Sequence, residues 1–331
     1  MNEENLITAL TSFHKKKIAV IGDVGIDRYT QGSVDRISPE APVPILAVER
    51  EYLKLGLAAN VADNVVALGG APMLVGVVGR DQDSKDFKAL ARLNKIQPQF
   101  LVEDPTRRTI LKERLVAETQ QLLRVDFEDV HALEKDVRKK VRARAISVVA
   151  KCDAVIIEDY AKGLLDRSLV RDVVAVAKRK KIPVLIDPHL KSPVELYTGA
   201  TCLTPNRREA EALSRIRITN DKTLRDAGNQ ILQKTKASCL IITLGGGGMA
   251  IFRNAGRKPT VIPTFAQEVY DVSGAGDTVI SVLALAFACG VSLEDSAMIA
   301  NLAAGIEVGK RGTATVSQEE IIQFFQRMRL G

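Results

Sequence analysis

Short runs that are apolar on successive residues, separated by helix-patterned segments, constrain this chain more than any other feature. Lys17-Ile18-Ala19-Val20-Ile21 is the first run, ending at Gly22-Asp23, and Met73 to Val78, Ala154 to Ile157, Val184 to Ile186 and Cys239 to Leu244 follow. A strand with no polar face has no side left for water, so such strands belong in a parallel sheet covered by helices on both sides. Helical patterns lie between them: Ala58 to Leu68, closed by Gly69-Gly70; Val170 to Lys180; and Thr278 to Cys289, closed by Gly290. Ligands of open α/β sheets gather at the carboxyl ends of the strands. Those ends carry Asp23, Glu158, Asp159, Asp187 and Thr243.

Two segments break the alternation. Residues 29–55 hold Pro39, Pro42 and Pro44 among short β-rich pieces, and residues 107–123 alternate without a helix stop. Proline confines strands to edges. The expected arrangement is therefore one main domain over 1–331 with a small inserted β-sheet acting as a lid.

Composition narrows the class. With 331 residues, 46% hydrophobic and 26% charged, a large core is readily built. No apolar run reaches membrane-spanning length. The N-terminal MNEENLITAL lacks the charged-then-apolar order of a leader, and the four cysteines are too scattered for a metal or disulfide framework. A cytoplasmic location is the expectation. The net charge of +7 comes with only 4% aromatics, and the basic runs 15–17, 135–144 and 178–181 contain none. They read as solvated faces rather than a nucleic-acid surface, and the positive balance suits small anionic substrates.

The segment Asp271-Val272-Ser273-Gly274-Ala275-Gly276-Asp277 opens the longest apolar helix. Glycines at a helix N-terminus leave N–H groups uncovered for an anion, and the helix dipole adds about half a positive charge there. Asp277 beside such a site suits a base that takes a proton from an alcohol attacking a phosphoryl group, and the dipole should keep it ionised. Read alone, a helix cap with a close packing contact is the simpler explanation of the motif. Other residues also have two readings. Asp23 and Asp27 flank a turn and suit sugar hydroxyls or turn capping. Gly56 and Asn60 open a helix and permit close approach of a ligand or of another helix. Asn206 and Glu209, one turn apart, suit a hydrated Mg²⁺ or a plain helix start. Thr243 followed by Gly245 to Gly248 suits a phosphate path or a hairpin turn. Arg124 and Lys162 are candidates for a substrate phosphate. Lys112 and Arg114 rank below them, because alternating cations on a flap are usually solvent-facing.

Taken together and in order, these pieces resemble the ribokinase-like (PfkB-type) sugar kinases, from Ile18 to about Val316. The most specific stretch is DVSGAGDTVISVLAL. GDVGIDRYTQGSVDRISPEAPVPIL, QQLLRVDFE, EDYAKG, LTPNRREAEAL and NLAAGIEVGKRGTATVS resemble the branch that acts on heptose 7-phosphate. The resemblance implies a three-layer α/β/α fold with a mostly parallel sheet and a β-sheet lid, and a homodimer formed through that lid. It implies ATP and Mg²⁺, and K⁺ near Asp271 and Ser273 as in some relatives. It also assigns roles. Asp277 is the base, and Gly274, Ala275 and Gly276 form the anion hole. Asn206 and Glu209 serve Mg²⁺; Thr243, Gly245, Gly248, Asn301 and Ala304 serve the nucleotide. Asp23, Asp27, Gly56, Asn60, Arg124 and Lys162 serve the sugar phosphate.

Three departures from the family pattern stand out. Leu57 replaces a second glycine. His189 stands where a lysine is usual, with Lys191 as a replacement cation. The His-x-Gly-His motif of a second, nucleotidyl-transferring domain is absent, so a kinase without that activity is expected.

Overall fold

The computed structural model describes residues 1–266, 269–310, 312 and 314–330. Its main sheet has eight strands in the order β14 (Thr260–Ile262), β13 (Met249–Phe252), β12 (Cys239–Thr243), β11 (Cys202–Leu203), β10 (Val184–Asp187), β9 (Ala154–Glu158), β1 (Lys17–Gly22) and β4 (Ala71–Val75). From β4 to β12 every pairing is parallel; β13 and β14 add antiparallel at one edge.

The apolar strands divide their side chains between two cores. Ile18 and Val20 of β1 and Cys239 and Ile241 of β12 face one core. That core is closed by α1 (Glu3–Ser12), α2 (Ala58–Ala67), α3 (Gln82–Leu93), α8 (Ala275–Ala288), α9 (Leu293–Glu307) and α10 (Gln318–Leu330). Ala19, Ile21, Leu240 and Ile242 face the other. Helices α4 (Lys135–Val149), α5 (Arg167–Lys180), α6 (Arg207–Ser214) and α7 (Asp221–Thr235) close it. Burial on both faces is why these strands read as continuous apolar runs. Helix α8 is buried on all sides from Thr278 to Ala286, which explains its lack of a polar stripe.

The small sheet is longer and more regular than short pieces at 29–55 and 107–123. Its order is β3 (Pro44–Leu57), β2 (Val24–Ile37), β7 (Ile110–Ala117) and β8 (Gln120–Phe127). The physical reason is the placement of the prolines. Pro39 and Pro42 lie in the β2–β3 connection and Pro44 opens β3, an edge strand, so none interrupts a ladder. The expected strand from Met73 to Val78 divides at Gly76. Beyond it β5 (Val77–Val78) leaves the main sheet and pairs with β6 (Val102–Glu103). A Cβ on Gly76 would lie 2.6 Å from Val24 and 3.0 Å from the Gly22 carbonyl, so only glycine permits this crossing.

Candidate active site

The carboxyl ends of β1, β9, β10 and β12 converge on the N-terminus of α8. Gly274 caps that helix at φ +100°, a conformation that favours glycine. The first turn thus carries uncovered N–H groups and Asp277.

Asp277 is fixed from two other elements. Asn60 of α2 donates to its Oδ2 at 2.6 Å, and the Tyr160 hydroxyl donates to Oδ1 at 3.3 Å. Thr278 donates to Asn64 at 3.1 Å and Ser281 to the Val61 carbonyl at 3.1 Å, a polar seam that locks α8 onto α2. Asn60 had two readings; in the structure it touches the Asp277 carboxylate directly. The dipole does not hold the Asp277 pKa at its ordinary value, although the carboxyl still ionises by neutral pH. Desolvation raises its pKa to about 6, with the Asn60 and Tyr160 hydrogen bonds pulling the other way.

Asp23 is buried and accepts from the Lys162 and Leu164 amides at 3.2 and 3.3 Å; burial raises it to about 6. Part of its role is therefore loop capping. Asp27 is buried and pairs with Arg114 at 2.8 Å. A Cβ on Gly56 would sit 3.2 Å from the Asp27 carboxyl, so glycine there keeps the space in front of that acid open. Leu57 follows at φ +59°, ψ −139°, a backbone that L side chains rarely adopt. The glycine-type turn thus persists although the glycine does not.

Asn206 and Glu209 form a capping box at the start of α6, with the side chain of each bonded to the backbone of the other at 3.0 and 2.8 Å. The plain helix start is thus realised. Glu209 nonetheless faces an acidic cluster that motif reading left unassigned. Burial and the mutual charges of Glu158, Asp187, Glu209 and Asp277 raise the carboxyls of Glu158 and Asp187 well above the ordinary range. One Glu158 oxygen is buried without a hydrogen-bond partner among the described residues. Among the described residues these carboxylates form no cluster that could hold a metal ion directly, so a divalent cation here would be held through water.

A cavity of about 230 Å³ adjoins the α8 N-terminus and is lined by Thr243, Gly245, Gly248, Ala275, Asn301 and Ala304 among others. The nucleotide set named from the sequence therefore shares one cavity with two residues of the α8 turn. The glycines also form the hairpin turn between β12 and β13, so both readings of that motif coexist. Asn301 is not free to point into the cavity with its amide nitrogen, which donates to the Pro263 carbonyl at 2.6 Å.

Among the remaining residues, Asp271 accepts from the Ser273 amide at 2.9 Å in a tight turn. Glu307 is buried behind it, and desolvation raises its carboxyl to about 8. Lys162 bonds Glu128. Arg124 is about half exposed and pairs with Asp126 at 2.8 Å. The expectation that Lys112 and Arg114 face solvent is overturned: both are partly buried on the site-facing side of the lid. The ring of His189 accepts from the Lys191 amide at 3.2 Å, and the Lys191 side chain is exposed. Tyr160 falls within the EDYAKG stretch quoted from the sequence but receives no role there, because a lone tyrosine after a Glu-Asp strand end does not by itself indicate a contact with Asp277.

Comparison with known proteins agrees with this geometry. The model of the pfkB family carbohydrate kinases matches residues 15–320. Among curated proteins, the chain is 42% identical over 303 residues to the bifunctional protein HldE of Geobacter sulfurreducens, covering 92% of this chain and 61% of that protein. It is 43% identical over 312 residues to HldE of Caulobacter vibrioides, covering 94% and 63%. The chain thus spans less than two thirds of these relatives. Among solved structures, Arabidopsis thaliana ribokinase complexed with ribose and ATP superposes with a TM-score of 0.74 at 18% identity, covering 94% and 99% of the two chains. Phosphofructokinase-2 from Escherichia coli with substrates and products gives 0.75 at 16% identity, covering 95% and 99%. These structures share the fold: a mostly parallel sheet between two helical layers, with an added small sheet. The chain belongs to the pfkB family of carbohydrate kinases.

Proposed function

We propose that the chain transfers the terminal phosphoryl group of ATP to the anomeric hydroxyl of D-glycero-β-D-manno-heptose 7-phosphate. The product is the 1,7-bisphosphate, a precursor of ADP-heptose for the lipopolysaccharide core. The observation that carries the reading is Asp277, held by Asn60 at the N-terminus of α8 between the glycine-lined cavity and the Asp27–Gly56 side. The HldE relatives direct the choice of sugar.

In this reading the sugar lies against Asp23, Asp27, Gly56 and Asn60. Its hydroxyl oxygen forms the new bond to phosphorus while the bond to the ADP oxygen breaks. Asp277 takes the hydroxyl proton, and a weak base suffices for such a transfer. The amides of Gly274, Ala275 and Gly276 receive the charge on the transferring group. Thr243, Gly245, Gly248, Asn301 and Ala304 form the nucleotide wall. Asn206 and Glu209 would serve Mg²⁺ through water, with the negative charge of Glu158 and Asp187 nearby; the ion would neutralise phosphate charge. Asp271 and Ser273, backed by Glu307, form the place for K⁺. Lys162 and Arg124 lie toward the sugar's phosphate.

The test is ADP release with Mg-ATP, comparing heptose 7-phosphate, fructose 6-phosphate and unphosphorylated sugars. A strong preference for heptose 7-phosphate is expected. Activity on another sugar alone overturns the substrate, and nucleotide binding without turnover on any acceptor points to a sugar sensor. In the same assay Asp277→Asn should lower turnover at least about a hundredfold; near-normal turnover would remove Asp277 from the role of base.

A further inference from the structure

Lys112 lies within β7, opposite Asp27 of β2 on one side and Asp126 of β8 on the other. Residues paired across strands share a face, so all three side chains lie on the same side of the lid sheet. Both acids are already engaged, Asp27 by Arg114 and Asp126 by Arg124. The carboxylate nearest Lys162, that of Glu128, is likewise taken. Lys112 itself makes no side-chain hydrogen bond or ion pair with any described residue, yet it is partly buried.

An ammonium group drawn out of water without a partner is unfavourable unless an anion joins it. Desolvation lowers the pKa of Lys112; the charge of Asp27 opposes it, that of Arg124 adds to it, that of Asp126 opposes it and that of Lys162 adds to it. Lys112 does not line the cavity beside Gly245 and Asn301. Its register opposite Asp27 therefore places it on the acceptor side of the site rather than the nucleotide side.

We propose that Lys112 seats the acceptor sugar's own phosphate group, with Arg124 and Lys162 as flanking cations, and so selects a phosphorylated sugar over its free counterpart. This rests on the kinase reading above and deepens it by naming the residue that fixes the substrate class. A phosphate dianion satisfies the unpaired ammonium with charge-assisted hydrogen bonds.

The experiment compares the full chain with its Lys112→Met and Lys112→Arg variants on heptose 7-phosphate and fructose 6-phosphate, each against the unphosphorylated sugar. In Lys112→Met, KM for the phosphorylated acceptor should rise tenfold to a hundredfold, the scale of one charge-assisted hydrogen bond. KM for ATP should hold, the loss on free sugar should be clearly smaller than on the phosphorylated acceptor, and Lys112→Arg should recover part of the loss. Equal losses on both kinds of acceptor, or an unchanged preference, overturn the proposal. A wild type that prefers another phosphorylated sugar removes heptose and leaves Lys112 standing. A wild type indifferent to the phosphate overturns the assignment of Lys112 whichever sugar it uses. If neither protein turns over, calorimetric titration with fructose 6-phosphate decides: binding to wild type that is weakened in Lys112→Met supports the seat, and equal or absent binding refutes it.

Discussion

Asp277 is held in two ways that move its proton in opposite directions. Burial favours the neutral acid, while the amide of Asn60 and the hydroxyl of Tyr160 favour the carboxylate, leaving a pKa of about 6. A base must be ionised to act, so kcat should rise with pH through about 6 and level off by neutrality. A profile flat from pH 5 to 7, measured under saturating substrates, would refute the shift. The stability sign is opposite. The folded-state pKa lies above the ordinary 3.8, so the folded form binds the proton more tightly and loses stability as pH rises through about 6. Asp23 and Asp63 are raised to about 6 by burial in the same way. Asp277 was legible because its motif is local in sequence. Glu158 and Asp187 were legible as polar strand ends, but their mutual charge and the contact of Tyr160 with Asp277 were not, because these arise only when neighbouring strand ends are brought side by side.

Elements were legible where burial alone decides them. The strands at Lys17, Ala154, Val184 and Cys239 and the helix at Ala58 lie where apolar continuity and periodicity put them, within about two residues at each end. The lid was harder, since its long hairpin grades from buried at the base to exposed at the tip instead of alternating, and its prolines look like interruptions until pairing shows them at the turn. Close packing between elements leaves no sequence signal beyond a glycine. Gly228 in α7 is such a case: a Cβ there would lie 2.3 Å from the buried ring of Phe252 on β13. Alanine normally strengthens a helix, but here the overpacking should cost about 1–3 kcal/mol. Gly228→Ala should therefore lower Tm by a few degrees. An unchanged or higher Tm would show that the ring moves aside freely.

For the whole molecule, the lid carries six of the fourteen large apolar side chains exposed among the described residues. Ile37, Val43, Val48, Leu122, Leu123 and Phe127 are large apolar side chains exposed on the small sheet and its hairpin. Apolar surface on an extended sheet of this kind invites a second copy. We propose a homodimer formed through it. Light scattering should give twice the chain mass, and Val48→Asp with Leu123→Asp should halve it; a monomeric wild type refutes the proposal. Among the described residues no helix is long and apolar enough to cross a membrane.

The contact between Asn60 and Asp277 joins residues 217 positions apart. A chain emerging from the ribosome makes α2 early, but the helix that covers Val61 and Val65 arrives only after most of the polypeptide has been made. Until then only the side of α2 that packs on the early strands is covered, the side that faces α8 is bare, and the reacting centre does not exist. Growing chains are thus inert and sticky along one helix, and a holdase that shields that stripe would be engaged for most of the time the protein takes to be translated.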